Sequence, residues 1–172
     1  MKVLLSIFTG MIVLGISIFT MAFHPAPPYT TILVIKHAET ADGTCMSPLT
    51  EKGATRAEML VDLFRNTDLK NVYACGNKGS IGTLSALSSS KGLTLQTFDH
   101  TDLKKSLFKM YTTNQGSTIA ISGDDQTVAQ IVDLLTGINH NIRDSRGTIY
   151  QVKSLQLGKG ELLTMPYATH LN

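Results

Sequence analysis

Apolar positions along the chain follow two alternating rhythms. From Thr31 to Lys36 every position between the ends is apolar, Ile32-Leu33-Val34-Ile35, as expected of a strand covered on both faces. A polar loop follows. Thr50 then caps a helix whose Ala57, Leu60, Val61 and Phe64 recur at i, i+3, i+4 and i+7. Val72 to Cys75 reads as a short strand. The stretch from Gly76 to Ser90, with Gly76, Gly79, Gly82 and a run of serines, carries only a weak helical signal. Thr94 to Phe98 predicts a strand, Leu103 to Tyr111 a helix, and Thr118-Ile119-Ala120-Ile121-Ser122 a further buried strand. Gly123, Asp124 and Asp125 open a helix with Val128, Ile131, Val132 and Leu135 on one face and Gly137 at its end. Thr148 to Leu163 predicts two strands joined at Gly158-Lys159-Gly160. Strands alternating with helices give a three-layer α/β/α sandwich with a mostly parallel central sheet, spanning residues 31–172.

The first 23 residues differ in kind. After Met1 and Lys2, the 21 residues from Val3 to Phe23 carry no charge, and Pro25, Pro27 and Pro28 follow within a linker over residues 24–30. At about 1.5 Å per residue, a helix of that length matches the roughly 30 Å hydrocarbon core of a bilayer. Thr20-Met21-Ala22 equally offers small residues where a signal peptidase cuts. Residues 1–23 are therefore expected to be a transmembrane anchor or a signal peptide, reaching the membrane through residues 3–23. Lys2 is the only basic residue ahead of the apolar stretch, which places the domain on the extracytoplasmic (periplasmic) side.

Composition narrows the function. With 42% hydrophobic and 16% charged residues among 172, the chain is rich enough in apolar residues for one sizeable core. A net charge of +2 with no basic stripe interleaved with aromatics leaves no footprint for nucleic acid. Cys45 and Cys75 each fall at or after a strand end, where they could be neighbours. A disulfide and two thiols are both compatible with that placement. Their spacing matches no zinc motif, and no metal or cofactor is expected.

In parallel sheets, ligands bind beyond the carboxyl ends of the strands. Two strand ends carry polar clusters, Lys36-His37-Ala38-Glu39 and Gly123-Asp124-Asp125. The first continues into Thr40, and Ser47-Pro48-Leu49-Thr50-Glu51-Lys52-Gly53 follows before the amphipathic helix. This opening resembles that of the histidine phosphatase (phosphoglycerate mutase-like) superfamily, in which a strand runs into Arg-His-Gly or Arg-His-Ala plus Glu, then Pro-Leu-Thr-x-x-Gly. The Val72-Tyr73 strand, Thr83 and the strand–glycine–helix unit at 118–136 keep the same order.

The resemblance implies a phosphoryl transfer in which His37 attacks a phosphorylated small molecule or protein and is transiently phosphorylated. A neutral imidazole is a competent nucleophile near pH 7. The family's remaining machinery is electrostatic: an arginine before the nucleophile, a second arginine after the second strand, and a second histidine after the fourth strand's glycine. Here Lys36 stands for the first, Gly79 (beside Lys78) for the second and Asp124 for the histidine. Lysine keeps the charge and loses the two-pronged fork. A carboxylate about 4 Å from a phosphate oxygen costs up to about 4 kcal/mol at an effective dielectric near 20. A lost clamp adds about 2–4 kcal/mol, so turnover at least ~10³ below a complete pocket is expected. Two alternatives stay open: a working phosphatase with a phospho-His37 intermediate, in which Lys36 and Lys78 replace the arginines, and a non-catalytic envelope domain that binds an anion or a protein.

His37, Lys36 and Asp124 are thus the candidate catalytic residues, and Lys78 and Glu39 the candidate substrate contacts. Asp124 and Asp125 are also natural helix caps, and Asp124 facing His37 would raise the imidazole's pKa. Glu39, Asp99 and Asp102 are candidate proton donors. His24, His100, His140 and His170 carry no motif and are expected at the surface.

Overall fold

A computed structural model describes residues 29–143, 146–168 and 171. The apolar run forms β1 (Thr30–Lys36). Thr50, whose hydroxyl accepts from the Gly53 amide, caps α1 (Glu51–Leu63). There follow β2 (Leu69–Cys75), α2 (Lys78–Ser90), β3 (Leu95–Phe98), α3 (Leu103–Thr113), β4 (Thr118–Gly123), α4 (Asp125–Thr136), β5 (Thr148–Ser154) and β6 (Glu161–Pro166). The six strands make one sheet in the order β3-β2-β4-β1-β5-β6. β1, β2, β3 and β4 pair in parallel, whereas β5 and β6 close the edge antiparallel.

Alternation along β1 explains its unbroken apolar run. Ile32 and Val34 pack with residues of α3 and α4, such as Leu107 and Ile131, while Leu33 and Ile35 pack with Leu60 of α1 and Leu84 of α2. Helices thus cover both faces of the sheet, and its central strand has no solvent side. Among the described residues no helix is long and apolar enough to cross a membrane. The anchor or signal peptide expected over residues 1–23, nearly all of the 24–30 linker, His24 and His170 lie outside the described residues.

The weakly signalled segment after β2 is a full helix of 13 residues. Asn77 caps it by accepting from the Ser80 amide at 2.8 Å. The hydroxyls of Ser85, Ser88 and Ser90 bond back to carbonyls one turn earlier, so the serine run satisfies itself within the helix. Its glycines permit close packing: a Cβ on Gly82 would stand 2.9 Å from Leu49 Cγ. Thr83 lies inside this helix. Tertiary fit overrides poor propensity here.

Candidate functional site

The tips of β1 and β4 meet. Lys36 is in register with Gly123, and the His37 amide donates to the Gly123 carbonyl at 2.9 Å. The loop carrying residues 123–125 therefore lies beside His37, as the placement of the two polar clusters requires. His37 is only 5% exposed. Its Nδ1 stands 2.8 Å from the Ala38 carbonyl. A carbonyl only accepts, so Nδ1 carries the proton and the neutral ring keeps its lone pair on Nε2.

The loop after His37 is held from two helices. Thr83 Oγ1 accepts from the Ala38 amide at 2.8 Å and donates to the Gly79 carbonyl at 2.7 Å. The Thr50 amide donates to the Glu39 carbonyl at 2.9 Å. Gly53 lies against the same carbonyl: a Cβ there would fall 2.1 Å from Glu39 O. This contact gives the glycine of the Pro-Leu-Thr-x-x-Gly pattern its physical reason, because α1 touches the post-histidine loop backbone to backbone.

Gly79 is tightly packed. A Cβ would meet His37 Cγ and the Cys45 carbonyl, each at 3.2 Å, and Thr40 Cγ2 at 3.0 Å. Its amide donates to that Cys45 carbonyl at 2.8 Å. The loop over residues 41–49 thus touches α2 at this point through Cys45. It is tied internally by Asp42, whose carboxylate accepts from the amide and hydroxyl of Thr44.

Lys36 is buried, and its ammonium pairs with the Asp125 carboxylate at the start of α4. Asp124 caps α4, its Oδ1 accepting from the Thr127 amide at 2.8 Å. Its charge still reaches the crevice. Burial pushes the thiols of Cys45 and Cys75 above their ordinary pKa, and the Asp124 carboxylate pushes both further. The two cysteines are near neighbours, as their positions suggested, and both are thiols. Lys78 is exposed at the first position of α2.

Glu39 turns to another task. Its carboxylate takes a two-pronged bond from the fully buried Arg56, with Nη2 at 2.7 Å and Nε at 3.0 Å. Lys52 stands 3.8 Å away. Burial raises the Glu39 pKa, but the Arg56 hydrogen bonds and charge outweigh it, leaving the group below its ordinary value. Arg56 Nη1 also donates to the Ala168 carbonyl at 3.3 Å, stitching the C-terminal tail to the post-histidine loop. Arg56 carried no signal in the sequence beyond its place on α1. Thr83 was noted for its place in the chain order alone.

The other candidates lie elsewhere. Asp99 caps a turn through the Thr101 amide and hydroxyl, which hold its carboxyl below the usual range, and it lines a cavity with Tyr73, Phe98 and Lys109. Asp102 caps α3 through the Lys105 amide. His100 is exposed, whereas His140, expected at the surface, is half-buried with its amide bonded to Asp133 and its ring to Thr136. Among the described residues no group of three or more His, Cys, Asp or Glu side chains is placed to hold a metal.

No protein-family model matches the chain. No curated relative matches it either. Solved structures do. The protein histidine phosphatase SixA, complexed with tungstate, superposes with a TM-score of 0.68 at 13% identity, covering 79% of this chain and 96% of that one. YhfR of Bacillus stearothermophilus gives 0.67 at 12%, covering 83% and 100%. A phosphoserine phosphatase of Entamoeba histolytica, in complex with 3-phosphoglyceric acid, gives 0.67 at 13%, covering 83% and 100%. The sheet order, the helices on both faces and these superpositions agree: the chain has the fold of the histidine phosphatase (phosphoglycerate mutase-like) superfamily.

Proposed function

We propose that the chain is an extracytoplasmic histidine phosphatase-like domain, tethered or exported by residues 3–23, that acts feebly on phosphate monoesters through His37. The observation that carries this reading is the contrast at the tip of β1. Nδ1 of His37 faces the Ala38 carbonyl, so Nε2 is the nitrogen free to attack in the neutral ring, while the adjacent cation, Lys36, is paired with Asp125. Attack of Nε2 on phosphorus would form the N–P bond as the ester P–O bond breaks, and the leaving oxygen would take a proton. Water would then cleave the phosphohistidine. The residues around His37 supply position: Thr83 and Gly123 fix the backbone on either side of the ring.

Two of these solved neighbours, SixA and the Entamoeba histolytica protein, are phosphatases by name, and the matches span nearly the whole described domain. That favours a phosphorylated small molecule or protein as the ligand.

Two variants test the proposal on the full chain. Hydrolysis of an aryl phosphate is expected to be slow, at least ~10³ below a complete pocket, and to vanish in His37→Ala. Asp125→Asn removes a carboxylate from Lys36 and should raise affinity for inorganic phosphate or tungstate about tenfold, the equivalent of ~1.4 kcal/mol. Turnover unaffected by His37→Ala would place the activity elsewhere. Unchanged anion affinity in Asp125→Asn would mean that Lys36 is not a clamp at all.

A further inference from the structure

α3 presents a cationic, partly apolar face to solvent. Leu103, Leu107, Met110 and Tyr111 bury its inner side, leaving Lys104, Lys105, Phe108 and Lys109 outward. Phe108 is 59% exposed. None of the three lysines takes part in an ion pair among the described residues. Beside this face lies a groove of about 570 Å³ lined by Leu107, Phe108, Leu134 and Leu157, with Lys104, Lys105 and one carboxylate, Asp102, which is tied to the Lys105 amide as the cap of α3. Exposed Leu155, at 68%, precedes Leu157 in the β5–β6 connection, and Lys159 follows it.

The position of this face in the fold is the second observation. Thr30, where the chain enters β1, is in register with Ser154, which leads directly into Leu155 and Leu157. Tyr111 at the end of α3 donates to the Ser154 carbonyl at 3.3 Å. Tyr29 and Thr30, the first described residues, therefore stand on the side of the groove, and on the proposed reading of residues 3–23 as a tether this is the side that meets the bilayer. His37 lies at the other end of β1, seven residues on, or about 23 Å at strand spacing.

We infer that the α3 face, with Phe108 and Leu157 flanked by Lys104, Lys105 and Lys109, is a docking surface for an anionic lipid bilayer, holding the His37 crevice away from the membrane. Lysines near an anionic leaflet gain Coulomb attraction, and an aromatic among them inserts at the headgroup level. A zwitterionic surface offers the second and lacks the first.

The chain contains no tryptophan, so Phe108→Trp is a single-site reporter at an exposed position. The full chain carrying it is reconstituted into phosphatidylcholine vesicles with and without phosphatidylglycerol, part of the lipid brominated. Blue-shifted emission and bromine quenching are expected in the anionic vesicles only. Adding Lys104→Glu, Lys105→Glu and Lys109→Glu should lower the ratio of docked to undocked domains by at least about 100-fold, at roughly fivefold per lysine, while the three arginine replacements retain docking. Equal emission and quenching in neutral and anionic vesicles would overturn the inference. So would a shift that follows protein concentration and not lipid charge, which would assign the face to a second copy of the chain.

Discussion

Replacing Arg56 by methionine should lower stability by about 3–5 kcal/mol, the usual cost of leaving one partner of a buried pair uncompensated. At roughly 2–4 °C per kcal/mol for a domain of this size, the melting temperature should fall by about 6–20 °C. Arg56 is fully buried, grips Glu39 with two nitrogens and holds the Ala168 carbonyl. The double change Arg56→Met with Glu39→Met should recover much of the loss, since apolar replacement of both partners removes the unpaired charge. Acid dependence supplies a second readout. The Glu39 pKa is lowered in the folded state, so its contribution is present above the unfolded value of about 4.3 and fades as pH falls through the folded value. Glu39→Gln should therefore flatten the decline in stability on acidification below about pH 5. A single Arg56→Met variant within 1 kcal/mol of the parent in urea denaturation would show that the pair is dispensable.

Gly53→Ala should be nearly as damaging, at about 3 kcal/mol, the upper part of the overpacking range. The obstacle is a main-chain oxygen, Glu39 O, 2.1 Å from the new methyl, and Thr50 already fixes that carbonyl. Neither side has a flexible end to move. α1 must back away from the loop that follows His37, and anion binding should weaken together with stability. Gly76→Ala is the matched control: nothing lies within 4 Å of its Cβ position, and a change within about 0.5 kcal/mol is expected. Equal denaturation midpoints for the two variants would refute the contact.

The alternation of apolar runs made the sheet and its helices legible, because β1 and β4 are buried on both faces and α4 on one. The meeting of His37 with the 123–125 loop was legible for the same reason: parallel strands deliver their carboxyl ends to one edge. What the sequence could not display was pairing between side chains. Asp125 faces Lys36, Glu39 faces Arg56 and Thr83 receives the Ala38 amide, over separations of 89, 17 and 45 residues. Each depends on register between elements, which no local pattern records. Gly79 is the instructive case. Its place in the motif order marked a missing arginine, whereas the packing shows that the Cys45 loop and the His37 ring close upon it.

The same stitching bears on how the chain is made. β1 lies between β4 and β5, and the Arg56 bond to Ala168 joins residues 112 apart. A ribosome adding about 5–20 residues per second would therefore release most of the polypeptide before its first strand has both neighbours. Until then the nascent chain has no finished centre, and the crevice is among the last parts to assemble.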